Sequence, residues 1–220
     1  MVVTIDGPAA SGKSTAAREL AKALGIAFLD SGATYRAVTL KALRAGVDMT
    51  DQAALARIAA EADLALIPDP RGVRVMLDGR DVSDAIRSAE VSNESHHVAG
   101  APAVREVLVA LQRRIAAGLG DFVAEGRDQG SVVFPHADVK FYLDASPEVR
   151  ARRRQEETAA AGREADFQET LRDILRRDRR DSSRPVAPLI KPDDAVVIDT
   201  SRLTIDQVVA EMLGRVEAAR

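Results

Sequence analysis

Five short stretches of the chain are mostly apolar or β-branched: residues 2–5, 27–29, 122–124, 139–143 and 195–198. Apolar runs this short, without strict alternation, mark strands buried on both faces of a sheet. Between them the apolar positions recur at helical spacing. Residues 14–24 read as a helix. Residues 103–117 place Val104, Val107, Leu108, Leu111 and Ile115 on one stripe, with Pro102 at a first helical position. Residues 205–217 repeat the pattern with Ile205, Val208, Val209, Met212 and Val216, and Thr204 and Gln207 can form a capping box in front of them. The alternation predicts an α/β fold, a doubly wound five-stranded parallel sheet. Ligands of such sheets bind at the carboxyl ends of the strands.

Two segments break the alternation. Residues 64–67 and 73–82, separated by a Pro/Gly-containing turn, read as a small antiparallel β insertion. It lies in the long interval between the second and third core strands, where it can reach over the ligand crevice. Residues 150–163 are rich in Arg and end near Ala-Ala-Ala-Gly, an irregular segment suited to a mobile helical lid. We therefore expect a single domain over 1–220, with an insertion at about 60–100 and a lid at about 150–165.

Composition narrows the setting. Apolar residues make up 46% of the 220, enough for a core, but aromatics are only 3%, so Val, Leu, Ile and Ala must fill it. The net charge of −3 argues against a binder of nucleic-acid polymers. The chain has no Cys, which excludes disulfides and thiolate metal sites and favours a reducing compartment. No apolar run approaches the ~20 residues that span a bilayer. Met1 leads directly into the first strand, with no signal-peptide pattern. The expectation is a cytoplasmic protein that does not engage membranes, and a monomer, since no apolar stripe is left over.

The sharpest local signal is Gly7-Pro8-Ala9-Ala10-Ser11-Gly12-Lys13-Ser14, followed by Thr15. It fits the G-x-x-x-x-G-K-[ST] phosphate loop, and it sits between a predicted strand and a predicted helix, as that loop must. Its glycines let backbone N–H groups curl around a polyphosphate at a helix N-terminus. Lys13 can reach the outer phosphates of ATP, and the Ser14 hydroxyl can take Mg²⁺.

Three charged constellations are more ambiguous. Asp30-Ser31-Gly32-Ala33-Thr34-Tyr35-Arg36 follows the second strand. Ser31 as N-cap with Tyr35 and Arg36 nearby suits the phosphate of a second substrate, or is an ordinary capped helix. Glu125-Gly126-Arg127-Asp128-Gln129-Gly130 follows the third strand. There Glu125 can hold Mg²⁺ through water, Arg127 can clamp phosphate and Asp128 can accept from a base edge, or the segment is a polar turn. Arg177, Asp181 and Arg184 share one helix face, as a ligand surface or a solvated one.

Taken together, Asp30 to Arg36, Gly126-Arg127-Asp128, Asp178 with Asp181, and Arg184-Pro185-Val186-Ala187-Pro188-Leu189 resemble the bacterial cytidylate kinases. These are P-loop nucleoside monophosphate kinases with an enlarged insertion, and the matching segments run in order from residue 5 to about 190. The resemblance implies transfer of the γ-phosphoryl of ATP, with Mg²⁺, to CMP or dCMP. It implies that residues 7–15 bind ATP. Ser31, Arg36 and Arg127 would surround the acceptor phosphate, and Tyr35 would line the same site. Arg105, Asp128 and Arg184 would read cytosine, and Arg177 and Asp181 would hold the ribose. Lys13, Arg127 and the lid arginines Arg150, Arg153 and Arg154 would neutralise the transferring group. The family usually has a small hydroxyl residue nine positions before Arg105; here His96 stands there, beside Ser95.

The chemistry suits the absence of any evident catalytic base. A nucleoside monophosphate has a second phosphate pKa near ~6, so its attacking oxygen is already largely ionised at neutral pH. Two rival readings remain. One is a P-loop kinase of the shikimate-kinase type, with Asp30 orienting an alcohol; it leaves 64–82 and 177–184 without a purpose. The other is a nucleotide-dependent regulatory switch, for which no guanine-reading motif is present.

Overall fold

The computed structural model describes residues 1–69, 72–160, 162 and 164–220. The chain divides into two compact units: Met1–Gly25 with Glu125–Arg220, and Ile26–Ala124.

All five expected strands form. They are β1 (Val2–Asp6), β2 (Ala27–Asp30), β6 (Phe122–Gly126), β7 (Val139–Asp144) and β8 (Val196–Asp199). They make one five-stranded sheet in the order β2-β6-β1-β7-β8. β1 and β7 pair parallel with Val3 opposite Val139, and β7 and β8 pair parallel with Phe141 opposite Val196. Val3, Ile5, Val123, Ala124 and Leu143 are fully buried, as the continuous apolar runs require. β8 departs from that expectation: it closes the strand order, and Val197 on it is 47% exposed while Ile198 is buried.

In the first unit the helices are α1 (Lys13–Leu24), α6 (Pro147–Ala160), α7 (Phe167–Ser182) and α8 (Ile205–Ala218). α1 buries Ala16, Ala17, Leu20 and Ala21 and stops at Gly25, whose φ of 66° suits the left-handed cap. α8 starts with the expected capping box, Thr204 and Gln207 each accepting the other's backbone N–H.

In the second unit are α2 (Ser31–Arg44), α3 (Gln52–Ala60), the strands β3 (Leu64–Asp69), β4 (Gly72–Leu77) and β5 (Arg80–Asp81), then α4 (Ala89–Gly100) and α5 (Pro102–Ala116). The insertion is antiparallel as expected, with Leu64 opposite Leu77. The run at 73–82 is not one strand. It turns at Asp78 and Gly79, both at positive φ, and β5 folds back on β4. Asp78 is held there by accepting from Lys41 Nζ at 3.0 Å and from the Asp63 N–H at 3.1 Å. Val38, Leu55, Ile86, Val98, Val104 and Leu108 form the core of this unit. Among the described residues, no helix is long and apolar enough to cross a membrane.

Leu108 sits in α5 at 1% exposure, within that aromatic-poor core. Leu108→Ala should cost about 2–5 kcal/mol of stability, the range for a large-to-small change that leaves a cavity. Urea unfolding followed by circular dichroism measures it; a loss below ~1 kcal/mol would mean that this core repacks freely.

Candidate active site

The phosphate loop is shaped by contact with the sheet. Gly7 has φ of 152°, and a Cβ there would lie 2.1 Å from the Leu143 carbonyl oxygen. Only glycine can pass so close to β7. Ala10 is also left-handed at φ 58°, a conformation an alanine rarely adopts. Gly12, at φ 87°, precedes α1, and among the described residues no side chain caps that helix start. Its first N–H groups are therefore available to an anion.

Lys13 is buried, and its ammonium donates to the Pro8 carbonyl at 3.0 Å. Burial lowers its pKa to about 7; Arg127 and Arg177 add to the effect, and Glu125 and Asp181 oppose it. The Ser14 hydroxyl donates to Glu125 Oε1 at 2.9 Å. Two hard oxygen donors 111 residues apart in the sequence thus meet beside the loop.

β6 delivers Arg127 and Asp128 into a π-helical turn, Gln129–Val133. The segment read as a polar turn or a site is thus a strand end, Glu125 and Gly126, followed by Arg127 and Asp128 directly before a helical bulge that begins at Gln129. Asp6, at the end of β1, holds it. Its carboxylate accepts from the Gln129 N–H at 2.9 Å and the Gly130 N–H at 2.7 Å. Burial raises the Asp6 pKa to about 6, with those two N–H bonds working the other way. Asp128 is itself 3% exposed.

Asp181, on α7, collects two arginines. Arg127 Nε reaches it at 3.1 Å and Arg184 at 2.6 Å. Burial pushes the Asp181 carboxyl up, but Arg127, Arg184 and Arg177 outweigh it and hold the pKa below the usual carboxylate range. Arg184 lies past the end of α7 rather than on its face, since the helix stops at Ser182. The shared face expected for Arg177, Asp181 and Arg184 is replaced by a helix carrying the first two and an arginine folding back from beyond its end.

The lid segment differs most from expectation. Residues 150–160 are not irregular but belong to α6; Ala161 and Arg163 lie outside the described residues. Arg150 is 3% exposed and donates to the Ala145 carbonyl, the Ala9 carbonyl and Asp178 Oδ2. Arg153 donates to Thr200 Oγ1 at 2.9 Å, to the Thr200 carbonyl at 2.6 Å and to the Ser11 carbonyl at 3.4 Å. Arg154 is exposed and pairs with Glu157 at 3.1 Å. One run of arginines thus has three different environments.

Next to the loop is a cavity of about 290 Å³. Leu143, Leu203, Ile205 and Val208 supply its apolar wall, and Ser11, Gly12 and Thr200 its polar edge. Tyr142 on β7 is half-buried; burial, then Asp144 and Asp178, raise its phenol above the ordinary pKa.

The second unit holds the other expected residues. Asp30, not Ser31, is the N-cap of α2, accepting from the Ala33 N–H at 2.9 Å. Ser31 is the first helical residue and is buried. The other Asp30 oxygen pairs with Arg36 at 2.9 Å and lies 3.9 Å from Arg87. Arg105, on α5, places its guanidinium 5.5 Å from the centroid of the Tyr35 ring, a cation–π distance. Gln112 Nε2 donates to Thr34 Oγ1 at 3.0 Å and so ties α5 to α2. On α4, His96 bonds the Asn93 carbonyl through Nδ1 at 2.7 Å, and Ser95 donates to Ser92.

The sequence assigned no role to Asp6, Thr200 or Gln112. Asp6 had one signal, an acid ending an apolar strand directly before the first loop glycine. Thr200 and Gln112 had none, because a lone polar residue does not announce its distant partner.

A parallel sheet, a glycine loop opening a helix with a buried lysine, and arginines massed beside it define a P-loop kinase. The chain belongs to the cytidylate kinase family, whose sequence profile matches residues 3–218. It is 51% identical to the cytidylate kinase of Pelotomaculum thermopropionicum over 219 residues, covering 99% of this chain and 96% of that one. It is 49% identical to the cytidylate kinase of Rhodococcus jostii over 213 residues, covering 97% and 93%. Among solved structures, the shikimate kinase of Bacteroides thetaiotaomicron matches with a TM-score of 0.50 at 12% identity, over 99% of this chain and 98% of that one. That likeness extends to the fold alone.

The depressed Lys13 pKa has a measurable consequence. At pH 8 the amine of the empty site is mostly neutral, while an adjacent polyphosphate favours the ammonium form. Binding of a non-hydrolysable ATP analogue at pH 8 should therefore take up a proton, approaching ~0.9 for a group of pKa about 7. Calorimetry in buffers of different ionisation enthalpy reads the uptake. Proton-neutral binding would show that Lys13 is already charged in the empty site.

Proposed function

We propose that the chain is an ATP:CMP phosphotransferase, passing the γ-phosphoryl of ATP to CMP or dCMP and releasing ADP and CDP or dCDP. One observation carries the reading: the buried Lys13 of the phosphate loop feels the charges of Arg127 and Arg177, with Glu125 and Asp181 opposing them. A loop for one polyphosphate thus adjoins cations enough for a second anion. Family membership says which anion. The shikimate-kinase alternative has only a fold likeness behind it.

In this reading residues 7–15 bind the phosphates of ATP, and the apolar cavity by Leu203 and Val208 takes its nucleoside end. Mg²⁺ would be held by Ser14 directly and by Glu125 through water; the 2.9 Å contact between their oxygens suits a hard cation. When bound, the ion neutralises phosphate charge. Ser31, Tyr35, Arg36, Arg105, Arg127, Asp128, Arg177, Asp181 and Arg184 are the residues assigned to CMP. Ser31, Arg36 and Arg127 take its phosphate, and Arg177 and Asp181 its ribose. Arg153 and Arg154 of the lid screen the transferring group. Arg153 would leave Thr200 to do so, and Arg154 would leave Glu157. The residues at about 60–100 are the acceptor-binding insertion, and those at about 150–165 the lid, of one kinase domain. A cytoplasmic monomer fits a chain without cysteine and without a leftover apolar stripe.

The chemistry needs alignment and charge screening more than proton transfer. The acceptor oxygen is ionised at neutral pH, and preorganised cations meet the charge that develops on the transferring group. Lys13→Ala should leave the melting temperature near that of the wild type and reduce turnover by at least ~100-fold, the scale for losing one preorganised donor. Steady-state kinetics beside a thermal melt tests it; near-normal turnover would remove Lys13 from the chemistry.

Base selection rests on Asp128, Arg105 and Arg184. A carboxylate accepts from the cytosine amino group but faces lone pairs on the uracil O4, and arginine donors suit N3 and O2 of cytosine. Discrimination is chiefly repulsion of uracil. Asp128→Asn supplies a donor for O4 at the same size. It should lower activity on CMP and narrow the CMP-to-UMP ratio of kcat/KM, which a buried mismatch can set at about 100-fold. An unchanged ratio would take Asp128 out of base reading.

A further inference from the structure

Arg150 is the arginine whose placement least fits a group that meets a phosphoryl. It lies at 3% exposure, and each of its three nitrogens is engaged. Nε donates to the Ala145 carbonyl at 2.9 Å, just past the end of β7. One terminal nitrogen donates to the Ala9 carbonyl at 3.2 Å, in the middle of the phosphate loop. The other meets Asp178 Oδ2 at 2.6 Å, on α7. Arg154, by contrast, is exposed.

We propose that Arg150 is a positioning residue that fixes the Ala9–Ala10 peptide of the phosphate loop and ties that peptide to α7. The proposal rests on the kinase reading above and concerns how the two substrates' binding elements are held in register.

The peptide plane makes the argument. In a trans peptide the C=O and the following N–H point in opposite directions. Arg150 holds the Ala9 carbonyl, so the Ala10 N–H faces away from α6. Ala10 is held at φ 58°, which an alanine leaves when nothing restrains it. Without the guanidinium the peptide is free to flip, and a carbonyl then replaces an N–H donor in a loop whose use is to present N–H groups. A flipped loop repels polyphosphate.

The other end of the guanidinium reaches the acceptor side. Asp178 directly follows Arg177 and precedes Asp181 by three residues on α7. Its Oδ1 is buried and, among the described residues, bonds nothing, so Arg150 is its one hydrogen-bond donor there. A shift of α7 when Arg177 and Asp181 engage a ribose is transmitted to the Ala9 carbonyl through a single planar group. Arginine is required for this, because its fork serves three acceptors at fixed angles and an ammonium does not.

The test uses Arg150→Lys, Asp178→Asn and the double variant of the full chain. The readouts are KM for ATP, KM for CMP, kcat, and the Kd of a non-hydrolysable ATP analogue, with melts alongside. Arg150→Lys should weaken the analogue and raise KM for ATP about tenfold or more, while KM for CMP changes less than about threefold. Asp178→Asn should raise the same ATP constants about threefold, and should add nothing in the Arg150→Lys background. Three results would overturn the proposal. One is a large loss of kcat in Arg150→Lys with ATP affinity intact, which would put Arg150 on the phosphoryl. The second is multiplicative effects of the two changes on the ATP constants. The third is a lowered melting temperature with no change in those constants. If Arg150→Lys does not fold, the ATP-against-CMP split in Asp178→Asn decides alone. The analogue titrations need no CMP turnover, and wild-type turnover of CMP tests the activity separately.

Discussion

Burial drives the Lys13 ammonium toward its neutral form, and the charges gathered around it pull both ways. Arg127 and Arg177 act to discharge it, while Glu125 and Asp181 act to keep its proton. A site that receives two phosphate-bearing molecules has to gather cations in advance, and the gathered cations repel one another. Much of the local architecture answers that repulsion. Asp181 separates Arg127 from Arg184, and Asp178 takes Arg150. Asp30 takes Arg36 in the other unit. Each acid gives its arginine a partner at 2.6–3.1 Å, so the cations are paired without any ligand.

Those acids have structural duties as well. Asp30 caps α2 with one oxygen while the other meets Arg36. Asp6 spends both oxygens on backbone N–H groups of the turn that carries Asp128. Its pKa of about 6 reflects a carboxylate paired only with neutral donors in a buried place. The site is therefore fastened to the ends of strands and helices, where main-chain groups need partners in any case.

The strands were legible because a strand buried on both faces is mostly apolar or β-branched, as 2–5 and 122–124 are, and because each run is short and alternates with a helical stretch. The phosphate loop was legible because glycine positions and a lysine at set spacing report a backbone shape. The capping box of α8 was equally local, two residues three positions apart that satisfy each other. What escaped were properties set by distant partners. Arg150 looks like Arg153 and Arg154 in sequence, and its burial depends on Ala9, 141 residues away. Ser31 was read as the cap of α2; the structure uses Asp30, whose second oxygen pairs with Arg36. The turn at Asp78 and Gly79 is hidden in an otherwise strand-like run, since Lys41 from α2 helps to stabilise it.

The poverty in aromatics gives the molecule an unusual optical simplicity. It has two tyrosines and no tryptophan. Tyr35 lies under the Arg105 guanidinium in one unit, and Tyr142 stands among Asp144 and Asp178 in the other. The near-ultraviolet emission of the chain therefore has two sources, one per unit, each next to charged groups that alter a phenol's excited state. With one tyrosine replaced by phenylalanine, the remaining one becomes an intrinsic, label-free reporter of its own half of the molecule.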